Sequence, residues 1–296
     1  MRLGDREREA AVRLRDSSHD EGHDHVVADA QDTLFGEGYD YAAGSPHLRH
    51  GAVREHLEGT TRWAVTAVLK RQPSCAVLEV GAGHGHFTET VIGAGGTPTV
   101  TEMSKASYDF LKRKFASNPE VQVIHDADGC APFRDGSQFD VILMISVIHH
   151  IPDYIKTVTD LCDKVLRPGG ILVTFQDPLW YPRLSRRARI LSWGSYFAWR
   201  VTQGDFKRGL STRWRRLRGT YDDSPSDLVE YHVVRQGVDE CALTELLQAR
   251  FARVEVLRYF STQSALLHAI GAKYFPSNNF GIVASGRQEL ITRQRA

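Results

Sequence analysis

The sequence predicts an α/β protein built on a mostly parallel sheet, and three observations carry that expectation. Short apolar runs of strand length, at residues 75–80, 98–101, 121–124, 141–145 and 171–175, alternate with helical patterns; runs of this kind are strands buried on both faces. The first run enters a glycine-rich turn, Gly81-Ala82-Gly83-His84-Gly85, with a helix beginning near Phe87. Such a turn lets backbone come close to a ligand. Helix breakers stand just before the strands, with Pro73 ahead of the first, Gly93 to Gly96 ahead of the second and Pro168-Gly169-Gly170 ahead of the fifth.

Composition sets the outer bounds. A chain of 296 residues with 42% hydrophobic content can bury one large domain and an added piece. The formal net charge of +1 gives no global field, so any basic surface is local and no nucleic-acid partner is expected. The four cysteines, Cys75, Cys130, Cys162 and Cys241, form no C-x-x-C pair and read as reduced thiols, with no metal site expected. Residues 1–7 hold no apolar leader core, and no apolar run approaches the ~20 residues that span a bilayer. A cytoplasmic protein is expected; the sequence says nothing of its oligomeric state.

In chain order, residues 1–35 form a charged tail containing His19, His23 and His25, either a solvated segment or a metal-binding cluster. Residues 36–72 are predicted as N-terminal cap helices, with Tyr41, His47, Arg49 and His50 toward the pocket. Residues 73–177, which contain the glycine-rich turn, are expected to form the half that binds a nucleotide-like cofactor. Ser104 is the predicted N-cap of the helix after the second strand, and Pro152 the predicted start of the helix after the fourth. Residues 178–237 are read as an insertion, and 238–296 as the return to the core, with Asp239 capping a helix through Leu243, Leu246 and Leu247. The last two strands are placed at 254–260 and 280–284, joined as an antiparallel hairpin.

A dinucleotide fingerprint would need a third glycine where His86 stands. The spacing Glu79-x-Gly81-x-Gly83-x-Gly85 instead resembles the first motif of class I S-adenosylmethionine-dependent methyltransferases. Further along, Glu102 ends the second strand about 20 residues past the glycines, where an acidic residue accepts from ribose hydroxyls. The stretch from Pro132 to Asp153, with Ser146-Val147-Ile148-His149-His150, and the turn Leu166-Arg167-Pro168-Gly169-Gly170 are similar to small-molecule members of that family, the quinone, sterol and sugar methyltransferases. The resemblance implies a Rossmann-like sheet of seven strands with an antiparallel seventh, helices on both faces, a helical N-terminal cap and a helical insertion after strand five. It implies S-adenosyl-L-methionine as donor, S-adenosyl-L-homocysteine as product and a small-molecule acceptor. Cofactor contacts are implied at Glu79, Gly81, Ala82, Gly83, His84, Gly85, Glu102, Met103, Asp126, Ala127, Asp128 and Ser146, with Asp126 and Ala127 at the adenine.

His149 and His150 stand where a base could take a proton from the acceptor, or where they simply shape the turn; Tyr231 and His232 are the alternatives. No Asn-Pro-Pro-Tyr motif follows strand four, which argues against nucleobase or glutamine methylation. Between 180 and 220 lie four of the five tryptophans (Trp180, Trp193, Trp199, Trp214) and eleven basic residues, Arg183, Arg213, Arg215 and Arg216 among them, against the single acid Asp205. Three readings stand for this segment: an acceptor lid, a peripheral membrane contact, or a solvated helical pair with an aromatic inner face. The alternative function is a non-catalytic or repurposed S-adenosylmethionine-binding protein on the same fold.

Overall fold

The computed structural model describes residues 45–202 and 237–288. It opens with two cap helices, α1 (Pro46–Arg49) and α2 (Gly51–Leu69), followed by β1 (Ala76–Val80), α3 (His86–Gly93), β2 (Thr97–Glu102), α4 (Lys105–Lys114) and β3 (Gln122–His125). β4 (Phe139–Ile145), α5 (Tyr154–Asp160), β5 (Leu166–Pro178) and α6 (Arg186–Thr202) come next. After 237 the chain forms α7 (Glu240–Gln248), β6 (Phe251–Tyr259), α8 (Ala265–Tyr274) and β7 (Asn279–Arg287).

The strands make one seven-stranded sheet in the order β3-β2-β1-β4-β5-β7-β6. β7 runs antiparallel to both β5 and β6, and the other pairings are parallel. Alternation along the central strands sorts the core into two layers. Val77, Val141, Leu143, Ile171 and Val173 pack under α2 and α3 with Leu57, Val65 and Val91. Their neighbours Leu78, Ile142, Met144 and Leu172 pack on the opposite face with Val158, Leu161, Leu243 and Leu247 from α5, the π-helical turn after it, and α7. A leucine-sized side chain fully buried this way stabilises by about 1.5–3 kcal/mol. With both faces covered, the parallel strands read as unbroken apolar runs.

Two expected boundaries move. The helix after β4 begins at Tyr154, because the Asp153 carboxylate accepts from the Lys156 amide at 3.1 Å and caps it; Pro152 stays outside. That helix ends at Val165 in a π-helical turn, and Leu166 is already paired with Phe139, so the Pro-Gly-Gly sequence lies within an irregular start of β5. The last two strands are longer than expected and antiparallel, yet they are not a hairpin: α8 stands between them. Ser104 and Asp239 cap α4 and α7 as read from the sequence, Ser104 accepting from Ser107 and Asp239 from Cys241 and Ala242.

Candidate functional site

The carboxyl ends of β3, β2, β1 and β4 lie side by side, and the strand order reverses between β1 and β4, the crevice where open α/β sheets bind ligands. The turn after β1 forms one wall. Gly81, Gly83 and Gly85 all have left-handed φ, at 66°, 57° and 73°. A Cβ on Gly81 would come within 2.8 Å of the Val147 side chain, so the β1 turn touches the loop after β4. A Cβ on Gly85 would strike Leu111 and Phe115 of the α4 region at 2.8 Å, so this glycine supplies the close packing that a third fingerprint glycine would otherwise allow. His86, in that place, turns outward and pairs with Glu58 of α2 at 2.9 Å.

Glu102 ends β2 buried at the centre of this wall. One carboxylate oxygen accepts from the Gly83 amide at 2.8 Å and the other from the Ser104 amide at 3.1 Å. Met103 follows, its carbonyl 3.0 Å from the His125 ring nitrogen. Glu79 is turned inward. It takes the Thr88 hydroxyl of α3 at 2.6 Å, and burial, reinforced by the nearby Glu102 charge, pushes its carboxyl up to about 7. The His84 ring stacks on Phe110 with centroids 4.1 Å apart, and its carbonyl accepts from Lys114 Nζ at 2.9 Å. Ala82 packs beside the Val100, Leu111 and Phe115 cluster.

At the end of β3, Asp126 is buried and accepts from the Ala131 amide at 2.8 Å, holding the loop that contains Ala127. Burial raises its pKa. Asp128, the exposed acid of the pair, is bridged by Arg134 and caps the Cys130 amide.

The end of β4 is the most constrained part of the site. Ser146 has a left-handed φ of 62°, and its amide bonds Phe175 of β5 at 2.7 Å. Beyond it, His149 Nδ1 lies 2.8 Å from Asp177 Oδ1, and the His149 amide donates to the same oxygen at 3.1 Å. Asp177 Oδ2 accepts from Thr174 Oγ1 at 2.9 Å, and Asp177 is completely buried. With the His149 amide and the Thr174 hydroxyl also donating to this carboxylate, Nδ1 is the ring nitrogen that donates to Asp177. The ring of His150 is tilted against that of His149, with centroids 4.0 Å apart. Sequence reading missed Asp177. Its one signal was an acid directly after an apolar strand, in Gln176-Asp177-Pro178.

The cap closes over this end. His47 of α1 is buried, stacks on Phe87, and is held neutral at a pKa of about 3 by burial, with the charges of His86 and His149 adding to that effect. His50 reaches the Thr262 carbonyl at 2.6 Å and stacks on His268 of α8 at 3.8 Å. Arg49 is exposed, and Tyr41 lies outside the described residues, as do Tyr231, His232, Trp214, the arginines at 213, 215 and 216, and the histidines of the tail. Arg183 is not a free anchor: it lies over the Trp180 ring and pairs with Asp239 and Glu240. Asp239, Glu240 and Cys241 have ligand-like spacing, but Arg183 and Arg258 already neutralise the acids. No helix among the described residues is long and apolar enough to cross a membrane.

Fold and site together define an α/β protein with a candidate ligand crevice across the ends of the first four strands. Residues 78–172 match the family model described as a methyltransferase domain. A demethylmenaquinone methyltransferase of Staphylococcus epidermidis is 27% identical over 131 residues, covering 43% of this chain and 50% of the relative. The CurJ carbon methyltransferase structure aligns over 97% of this chain and 72% of its own, with a TM-score of 0.54 and 14% identity. The N-methyltransferase NodS of Bradyrhizobium japonicum, solved with S-adenosyl-L-homocysteine, aligns over 89% of this chain and 98% of its own, with a TM-score of 0.50 and 14% identity. Over the matched region, residues 78–172, the chain is similar to class I S-adenosylmethionine-dependent methyltransferases. It spans half the length, or less, of the curated relatives it matches first.

Proposed function

We propose that the protein transfers a methyl group from S-adenosylmethionine to a small-molecule acceptor that gives up a proton, with His149 as the base. The observation that carries this reading is the buried His149–Asp177 pair beside the glycine turn. The residues around that turn fit the donor. Glu102 would hold the ribose hydroxyls with lone pairs its two amide donors leave over, the backbone of residues 81–85 would line the methionine half, and the loop from Asp126 to Asp128 would flank the adenine. When bound, S-adenosylmethionine supplies a methyl group on a cationic sulfur.

His149 accepts the acceptor's proton at Nε2 while Nδ1–H stays bonded to Asp177, whose carboxylate stabilises the imidazolium so formed. Asp177 is not protonated in this step. The neutral imidazole of His47 places no second cation close to a cationic donor. Holding acceptor and donor in line in a closed site can supply ~7–11 kcal/mol of the barrier. Demethylmenaquinone, named for the staphylococcal relative, is one acceptor to try, beside phenols and β-ketoacyl thioesters. The segment that opens with Trp180 and α6 would frame the acceptor side.

The test follows a labelled methyl group from S-adenosylmethionine into that panel. Transfer is expected with the native chain and is lost with His149→Asn. Transfer undiminished in His149→Asn would remove His149 as the base, and a cofactor-loaded protein inert toward the whole panel would count against the acceptor class.

A further inference from the structure

Asp177 should not reach His149 at all if β5 were regular. Side chains alternate along a strand, so Ile171, Val173 and Phe175 share one face and Leu172 and Thr174 the other, and a regular continuation would put residue 177 with Phe175. Yet Asp177 bonds Thr174, and it lies opposite Phe280, which shares a core face with Ile282 and Ala284, the partners of Thr174 and Leu172. The register of β5 against β7 slips between Phe175 and Asp177, and Gln176 is the extra residue, with a left-handed φ of 66°. This bulge switches Asp177 to the His149 side.

A left-handed glutamine is a conformation its neighbours must enforce. The clasp is Tyr259 at the end of β6. Its hydroxyl accepts from the Gln176 amide at 3.0 Å and donates to Gln176 Oε1 at 3.1 Å, fixing backbone and side chain of the bulged residue together. Gln176 Nε2 is held in turn by Ser261 Oγ at 3.1 Å. Burial raises the Tyr259 phenol above its ordinary range, so the donor proton stays in place.

We infer that Tyr259 is a positioning residue: by clasping the Gln176 bulge it turns Asp177 onto His149 and so sets the tautomer of the base. The inference rests on the reading of His149 given above for its catalytic meaning, but not for its geometry.

Its test therefore needs no acceptor. Nitrogen-15 NMR of labelled histidine in the full chain bound to S-adenosylhomocysteine is expected to show His149 as a single Nδ1–H tautomer in the native protein. In Tyr259→Phe that signature should be lost, replaced by an average of the two tautomers, while affinity for S-adenosylhomocysteine changes less than about twofold. Adding Gln176→Gly to Tyr259→Phe should restore the single tautomer, because glycine holds a left-handed φ without a clasp. A single Nδ1–H tautomer surviving in Tyr259→Phe would overturn the inference. So would a double variant that binds S-adenosylhomocysteine but stays averaged. Should Tyr259→Phe not fold, the double variant compared with native protein decides the same question. Loss of transfer in His149→Asn bears on the base alone, so the two readings fail separately.

Discussion

As the proposed base, His149 would owe its chemistry to the atom on its far side. With Asp177 replaced by Asn, an amide faces Nδ1 where a carboxylate stood, and the tautomer with its proton on Nε2 becomes available, which cannot act as a base. Asp177→Asn should lower kcat by ~10²–10⁴ with little change in donor affinity, checked by labelled-methyl turnover beside calorimetry with S-adenosylhomocysteine. Glu79 gives a second expectation. Its folded pKa of about 7 lies above the ordinary carboxyl value of 4.5, so its contribution to stability is complete below pH 4.5 and is lost as pH rises toward 7. Glu79→Gln keeps an oxygen for the Thr88 hydroxyl and cannot ionise, so its denaturant midpoint should lose less than the native one between pH 4.5 and 7. Equal pH slopes for the two proteins would mean Glu79 is not the group responsible. At this scale the sequence was legible where local pattern determines structure: the glycines of the turn after β1 and the Ser104 and Asp239 caps. It was silent on Asp177, since no spacing announces a bulge, and it could not show that His84 stacks on Phe110 or that Asp126 spends an oxygen on its own loop.

Among the elements, α1 is held partly by the packing of Leu48 and partly by buried imidazoles. Its residue His47 and its C-cap His50 are buried neutral imidazoles, and His50 is stacked on His268, whose pKa burial lowers to about 4. A histidine whose folded pKa is depressed contributes stability that is present above pH 6.5 and is lost as pH falls through the folded value. Acidification from 6.5 toward 4 should therefore loosen α1 from α8 before the sheet is affected. Hydrogen exchange corrected for intrinsic rates should show amides of residues 47–54 opening over that range while those of β4 stay protected; His268→Phe, which keeps a ring on His50 and removes one titrating group, should weaken the dependence. Simultaneous opening of β4 would mean the cap has no separate transition. The elements themselves were largely readable, because apolar runs and breakers mark them, and the errors fell at junctions. Pro152 is a fair helix starter until Asp153 is seen to cap, and the polar stretch from Ser261 to the cap Ser264 ahead of α8 reads as a loop between two strands.

Across the whole molecule the strand order divides the labour. β3, β2, β1 and β4 bring Asp126, Glu102, the glycine turn and Ser146 to one side, while β5, β7 and β6 bring Asp177, Asn279 and Tyr259 to the other, with His149 at the seam. That division was legible in outline, since parallel α/β order follows from alternating strands and helices; the inward reach of β6 through Tyr259 was not, because it depends on an antiparallel partner. A ligand that binds only the native state stabilises it by about 2.7 kcal/mol at roughly a hundredfold excess over Kd, and S-adenosylhomocysteine should produce that shift in thermal unfolding. Gly81→Val should abolish the shift, since its left-handed φ admits no branched side chain and the new Cβ would meet Val147 at 2.8 Å. His149→Asn and Tyr259→Phe should retain it, because the proposed donor contacts at the glycine turn, Glu102 and Asp126 to Asp128 do not include them. A shift that vanished in Tyr259→Phe as well would mean that the two halves are coupled, with β6 and β7 helping to hold the donor and the seam at His149 marking no boundary between the two tasks.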